Sequence, residues 1–225
     1  YQVALESGRF PSVSARRLRN LVAECFSPRL LVDHGRPAEY LKQLRGALSA
    51  REFEQMLLVY TCRGNAVLAD FIREVYWPAY SGGRDTISNP DARHFVVRAN
   101  QQGLTTKPWS ESTIRRVSAY LTGACADFGL LEKAARRERR ILPYRVEPNA
   151  AIALAYDLHF LGLGDNSILA HPDWSLFGLD RFDVVTELRR LSLKGVFLVQ
   201  TAGDVARIGW QCKDVKELSS AIAEG

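Results

Sequence analysis

WSESTIRRVSAYLTGACADFGLLEKAARRERRILPYRV, residues 109–146, carries more structural information than any other part of the chain. It predicts a capped amphipathic helix, a glycine stop and a short hairpin loaded with arginine. Ser110 stands where its hydroxyl can accept a bond from a free backbone N–H of the first turn. Ile114, Val117, Leu121, Ala124 and Phe128 recur at helical spacing and make one buried stripe. Gly129 stops the helix, because glycine tolerates the left-handed conformation. Leu130 and Leu131 then return to the core. Lys133, Arg136, Arg137, Arg139 and Arg140 follow, against Glu132 and Glu138. A helix followed by a basic hairpin is the plan of a winged helix, in which the helix enters a groove and the hairpin reaches phosphates. A solvated, exposed loop is the other reading of the same arginines.

A chain of 225 residues can bury one large core or two modest ones. Its net charge of +5 is mild, so partner choice depends on where the charge sits. Two places concentrate it. One is the hairpin, 133–145. The other runs from Arg9 to Arg45 and includes Arg16, Arg17, Arg19, Arg29, Arg36 and Lys42. The cysteines, Cys25, Cys62, Cys125 and Cys212, are scattered and form no CxxC or Cys/His pair at ligand spacing. That argues against zinc and suits a reducing cytoplasm. The start, YQVALESGRFPSVSARRLR, lacks the apolar segment of a secretory signal, and its missing methionine fits a trimmed chain. The longest small-apolar run, Ala150 to Tyr156, is far too short to span a bilayer.

Helices dominate the first half. Ser14 is expected to cap a helix to about Phe26, with Leu18, Leu21, Val22 and Cys25 on one face. Pro37 opens a helix through Leu48. Ser49 and Glu52 form a capping box, each satisfying the other's free backbone donor. That helix carries Phe53, Met56, Leu57, Tyr60 and Thr61. Gly64-Asn65 breaks the chain, and a further helix ends at Trp77-Pro78. SGGRDTISNP, residues 81–90, reads as a linker by composition. Asn89-Pro90 then starts a helix through about Gln102. Pro148 opens an Ala-rich helix to about Gly162. In the tail, Asp180 caps a helix with Val184, Val185, Leu188 and Leu191 inward, and two strands flank TAGD. Asp214 to Glu217 makes a last capping box. The tail hairpin carries only Arg207, and its helix carries Asp183 and Glu187, acids that repel phosphate. It therefore reads as a packing or docking module.

LLVYTCRGNAVLADFIREVYWPAY (57–80) and WSESTIRRVSAYLTGACADFGLL (109–131) resemble the BrxA family, small accessory proteins of BREX bacteriophage-exclusion systems. The likeness covers most of the chain and is strongest from about residue 50 to 145. It implies a cytoplasmic, mostly helical protein with a fold like that of the NusB antitermination factor. It also implies binding to double-stranded DNA, beside a DNA methyltransferase, an ATPase and a phosphatase-like protein of the same locus. The resemblance carries no residue-level binding map.

Enzymatic motifs do not stand out. Neither GxxxxGK[ST] nor GxGxxG occurs, and the His/Asp neighbours Asp33-His34 and His171-Pro-Asp173 lack the further ligands of a metal nuclease. They read better as turn residues at helix starts. Trp77, Trp109, Trp174 and Trp210 read as core anchors rather than base-stacking platforms.

The sequence thus predicts a mainly α protein in three parts. These are a helical, NusB-like N-terminal domain (1–85), a winged-helix-like domain with a basic hairpin (86–147) and a small α+β helix–hairpin domain (148–225). The expected function is non-enzymatic binding of double-stranded DNA in a phage-defence system, with no cofactor or metal. The expected contacts are Arg16, Arg17 and Arg19; Ser110, Ser112 and Thr113 at a helix N-terminus that favours phosphate; Arg115 and Arg116 on the polar face; and Lys133, Arg136, Arg137, Arg139 and Arg140. An RNA-binding NusB-like factor and a protein-docking scaffold are the rival readings. Duplex RNA competition separates the first, since A-form grooves exclude a recognition helix. Pull-down after nuclease treatment separates the second.

Overall fold

Two prolines of this chain lie inside continuous helices, and each follows a widened turn. The computed structural model describes residues 1–133, 138–202 and 205–224. Its first half comprises α1 (Gln2–Glu6), α2 (Ala15–Asn20), α3 (Ser27–Leu30), α4 (Arg36–Leu44), α5 (Ala50–Arg63), α6 (Ala66–Phe71) and α7 (Trp77–Ser81). A π-helical segment, Leu21–Phe26, joins α2 to α3, and a second, Ile72–Tyr76, joins α6 to α7. Pro28 and Pro78 sit just beyond these segments. Proline has no N–H to give and its ring collides with the carbonyl four residues back; a π-turn shifts that carbonyl's pairing and opens the space. The helix expected to end at Trp77-Pro78 therefore continues to Ser81. Two other expectations shift. The helix opened by Pro37 stops at Leu44, and on the Ser14-capped helix Leu18 is buried while Leu21 is exposed. The Ser49–Glu52 capping box and the Asn65 cap after Gly64 are both present.

The segment read as a linker contains a strand, β1 (Thr86–Ser88), with Ile87 fully buried between its half-buried neighbours. Turn-forming composition on both sides hides it. α8 (Asn89–Gln101) and α9 (Glu111–Asp127) follow. The chain then returns as an antiparallel pair. Leu131 bridges Ile141, Glu132 N–H donates to Arg140 O, and Leu142 N–H donates to Leu130 O. β2 (Glu138–Arg140) pairs antiparallel with β1, Ser88 opposite Glu138 and Thr86 opposite Arg140. The arginine-rich hairpin is thus stitched to the start of α8 rather than standing alone.

Next come α10 (Pro148–Phe160), α11 (Asp165–Leu169), α12 (Arg181–Leu191), the hairpin β3 (Phe197–Ala202) and β4 (Val205–Trp210), and α13 (Val215–Glu224). Ala150 to Leu158 are all buried, as a helix apolar on every side must be. α10 packs against α5, α11 and α12, and the buried cluster runs from Tyr40 to Ile222. The tryptophans anchor it. Trp174 is almost wholly buried and donates to Ile168 O at 2.8 Å. Trp77 donates to Leu176 O, and Trp210 donates to Asp165 while stacking on His159 at 4.2 Å. The protein is therefore mainly helical, with two small antiparallel sheets.

One carboxylate breaks the apolar face of α10. Asp157 has no exposed side-chain surface, and it accepts bonds from Tyr60 OH at 2.7 Å, Arg36 Nη1 at 3.0 Å and Arg63 Nη1 at 2.6 Å. Arg63 also donates through Nε to Asp173 at 2.7 Å, and its guanidinium lies over the Tyr60 ring. Arg36 follows a left-handed run at Asp33, His34 and Gly35, with φ of 49°, 54° and 82°. Asp33 and His34 thus form a turn beside this network. His171 opens the Pro172–Phe177 turn, its Nδ1 lying 3.3 Å from both the backbone nitrogen and the carboxylate of Asp173.

Burial works to raise the Asp173 pKa, but bonds from His171 and Arg63 outweigh it and hold the carboxyl below the ordinary range. Removing one partner of a buried pair costs about 3–5 kcal/mol. Arg63→Met is expected to lose stability on that scale in urea unfolding. A depressed carboxyl contributes fully above the unfolded value of about 3.9 and stops contributing as pH falls through the lower folded value. The unaltered chain should therefore weaken below about pH 4, and Arg63→Met should show less of that dependence. A loss under about 1 kcal/mol with an unchanged acid limb would contradict the network's role.

Candidate nucleic-acid interface

The N-terminus of α8 is held by a capping box. Ser88 N–H donates to Asp91 at 2.7 Å, and Asp91 N–H donates back to the Ser88 hydroxyl. Burial tends to raise the Asp91 pKa, yet the Ser88 bonds and Arg84, at 3.0 Å from both oxygens, leave it lowered. At the other end of α8, Asn100 Oδ1 accepts from Trp109 N–H at 2.8 Å and from Thr105, and so shapes the turn into α9. Near the start of α8, Asn89 Oδ1 accepts from Thr122 of α9 at 2.8 Å. These local bonds fix the two helices as one unit.

α9 is capped as its sequence indicates. The Ser110 hydroxyl accepts from Thr113 N–H and lies 3.0 Å from the Ser112 hydroxyl and 3.1 Å from that of Thr113. Ile114, Ser118, Leu121, Ala124 and Cys125 are buried, so Ser112, Arg115, Arg116 and Ala119 face out. Tyr120, one turn after Arg116 and therefore beside it, meets Arg29 of α3 and Asn65 through its hydroxyl. Behind α9, Arg51 donates to Phe128 O and stacks on Tyr144 at 4.6 Å. The backbone at Gly129 favours glycine, and the Arg51 guanidinium fills the space beside it. The Gly129 φ is +74°, and a Cβ would come within 2.5 Å of the Arg51 guanidinium.

On the hairpin, Lys133 and Arg140 are exposed. Arg139 is half-buried and turns back to donate to Glu132 O at 3.1 Å. Arg136 and Arg137 lie outside the described residues. The structure thus gathers Ser110, Ser112, Thr113, Arg115 and Arg116 on one helix, and the β1–β2 pairing joins Arg139 and Arg140 to the same α8–α9 unit. Arg16, Arg17 and Arg19 are exposed but sit on α2, which packs on α1 and the Leu21–Phe26 segment; Arg19 lies over the Tyr1 ring.

One arginine escaped the sequence reading. Arg93 of α8 makes a forked pair with Glu111, the first residue of α9, at 2.9 Å to both oxygens. It lines a cleft of about 630 Å³ between the helices, with Asn89, His94, Arg115, Ser118 and Ala119. No local pattern links two residues 18 apart on different helices. In the tail, the acids judged repulsive to phosphate are engaged. Asp183 closes a capping box with Asp180, and Glu187 holds Arg190.

The architecture is that of a mainly helical protein with an arginine-bearing helix pair braced by a short sheet. The sequence profile of the BrxA family matches residues 4–156, and the chain belongs to that family. The family points to a BREX phage-defence context. No curated protein and no solved structure matches the chain significantly. Among the described residues, no helix is long and apolar enough to cross a membrane, and no three His, Cys, Asp or Glu residues are grouped to hold a metal ion.

Gly123 stands in the interior of α9, where glycine costs roughly 0.5–1 kcal/mol relative to alanine. A Cβ there would meet nothing within 4 Å, so packing within the chain does not demand it. Gly123→Ala is expected to raise the unfolding free energy by about that amount, and with it the urea midpoint. A lowered midpoint would show an internal constraint at this position.

Proposed function

We propose that this chain is a non-enzymatic, double-stranded DNA-binding component of a BREX phage-defence system. Its middle part, 86–147, acts as a winged helix with α9 as the groove helix. The observation that carries the reading is the order of pairing. β1 precedes α8 and α9, the hairpin follows them, and β1 adds to the hairpin's outer strand. That order leaves Arg115 and Arg116 exposed on the second helix and Arg140 exposed on the adjoining sheet. The helical part, 1–85, is taken as NusB-like on the family resemblance. Contact is mainly to phosphate, with weak sequence preference. Support for a non-catalytic role comes from the buried groups. Burial pushes the Cys62 thiol up to about 12, so it stays protonated at neutral pH, and Asp157 and Asp173 are tied to arginine.

A docking role fits the tail, 148–225, better than a second reading head. Phe182, Leu193, Leu198 and Val205 are exposed there, an apolar set more suited to a protein partner than to phosphate. Other proteins of the defence locus are the natural candidates for it.

The test is a binding titration on random duplex DNA across a salt series. Each neutralised phosphate steepens the log–log slope by about 0.9. A steep negative slope is expected, and reversing Arg115, Arg116 and Arg140 to glutamate should flatten it while the melting temperature holds. Exposed charges contribute little to stability, about 0–1 kcal/mol per pair. A slope near zero, or a charge-reversed chain that binds normally, would refute the phosphate-contact reading.

A further inference from the structure

Glu111 sits where a helix favours negative charge. It is the first residue of α9, where backbone N–H groups lack helical partners and the helix dipole favours negative charge. Arg93 grips it through a fork, Nη2 to both oxygens at 2.9 Å and Nε to one at 3.3 Å, the geometry with which arginine holds carboxylate and phosphate alike. Arg115 and His94 share the cleft beside the pair. Both partners are about half exposed or more, 51% for Arg93 and 67% for Glu111. A pair so open to water is worth little and is readily exchanged.

We infer that Arg93 and Arg115, which line the cleft between α8 and α9, form a phosphate site of the nucleic-acid backbone, with Arg93 held in the free protein by the Glu111 carboxylate. The inference rests on the DNA-binding reading above and deepens it. A backbone phosphate displaces the Glu111 carboxylate from Arg93 and takes up the same fork, with Arg115 as the second cation. Asn89, which lines the cleft, adjoins Ser88, which pairs with Glu138 of the hairpin, so the cleft and the hairpin are tied together through β1. Glu111 acts as an internal competitor that holds affinity down and discourages stray anions.

A double-mutant cycle on one random duplex, read by fluorescence anisotropy at fixed salt, decides the matter. Glu111→Gln keeps the shape and removes the charge, and it should tighten Kd by up to about five-fold, the range spanned by exposed ion pairs. Arg93→Met should weaken binding. In the Arg93→Met background, Glu111→Gln should lose most of its gain, because there is no longer a fork to free. An equal gain in both backgrounds would show that Glu111 acts only by its charge at a distance and would overturn the inference. Arg93→Met binding as tightly as the unaltered chain would overturn it too. If the unaltered chain binds no duplex, the DNA reading itself falls and takes this inference with it. Binding with additive variants removes the inference alone.

Discussion

Asp157 is the constraint on which the arrangement of the helices turns. It is a carboxylate in the last turn of a helix otherwise apolar on every side, with no exposed surface. An unpaired carboxylate in that position would cost several kcal/mol. Two arginines from different helices answer it, Arg36 at the start of α4 and Arg63 at the end of α5. Each demand propagates. Arg36 is aimed by the left-handed turn at Asp33–Gly35. Arg63 has donors to spare and uses them on Asp173, fixing the turn that carries Trp174 into the core. A buried ion pair seldom adds stability over a well-packed apolar core, but it accepts only one arrangement of its partners. Here it sets how α4 and α5 meet α10.

The basic surface is built on the opposite principle. Ile87, Leu130, Leu131 and Ile141 bury the short sheet into the same core, and Arg51 braces the end of α9 across Gly129. Nothing buries the arginines of the outer face. Arg93 pairs with the exposed Glu111, and surface pairs exchange easily with solvent or with another anion. A rigid base carrying loosely held cations suits phosphate, because the positions are fixed while the charges stay free to exchange partners.

What could be read from the sequence was local. The Ser49–Glu52, Ser110 and Asp180–Asp183 caps depend on residues three apart, and each is present. The stripe on α9 follows from helical spacing alone. The Asp214 cap is also present, and only the return bond of its box shifts by a residue. Glu217 accepts from Lys213 N–H, with Asp214 accepting from Glu217 N–H. Distance in the chain limited the rest. Arg63 and Asp157 are 94 residues apart, and Arg93 and Glu111 lie on separate helices. A signal for the first was there to be seen, since a lone aspartate inside an Ala-rich apolar helix must find a cation. β1 was hidden for a different reason. Its Gly-, Ser- and Asn-rich surroundings have turn chemistry, and only pairing with a strand some fifty residues later makes Thr86–Ser88 extended. The hairpin arginines were legible as charge, but not that Arg139 would turn back to the Glu132 carbonyl.

The central claim is that α9 enters a B-form major groove beside a phosphate-contacting hairpin. Competition between duplex DNA and duplex RNA of the same length tests it most directly, because the deep, narrow major groove of A-form RNA does not admit a helix. The account predicts that unlabelled DNA displaces a labelled DNA duplex at far lower concentration than RNA does, and that reversing Arg115 and Arg116 to glutamate removes this preference. RNA competing as well as DNA, with the preference unmoved by those substitutions, would contradict it.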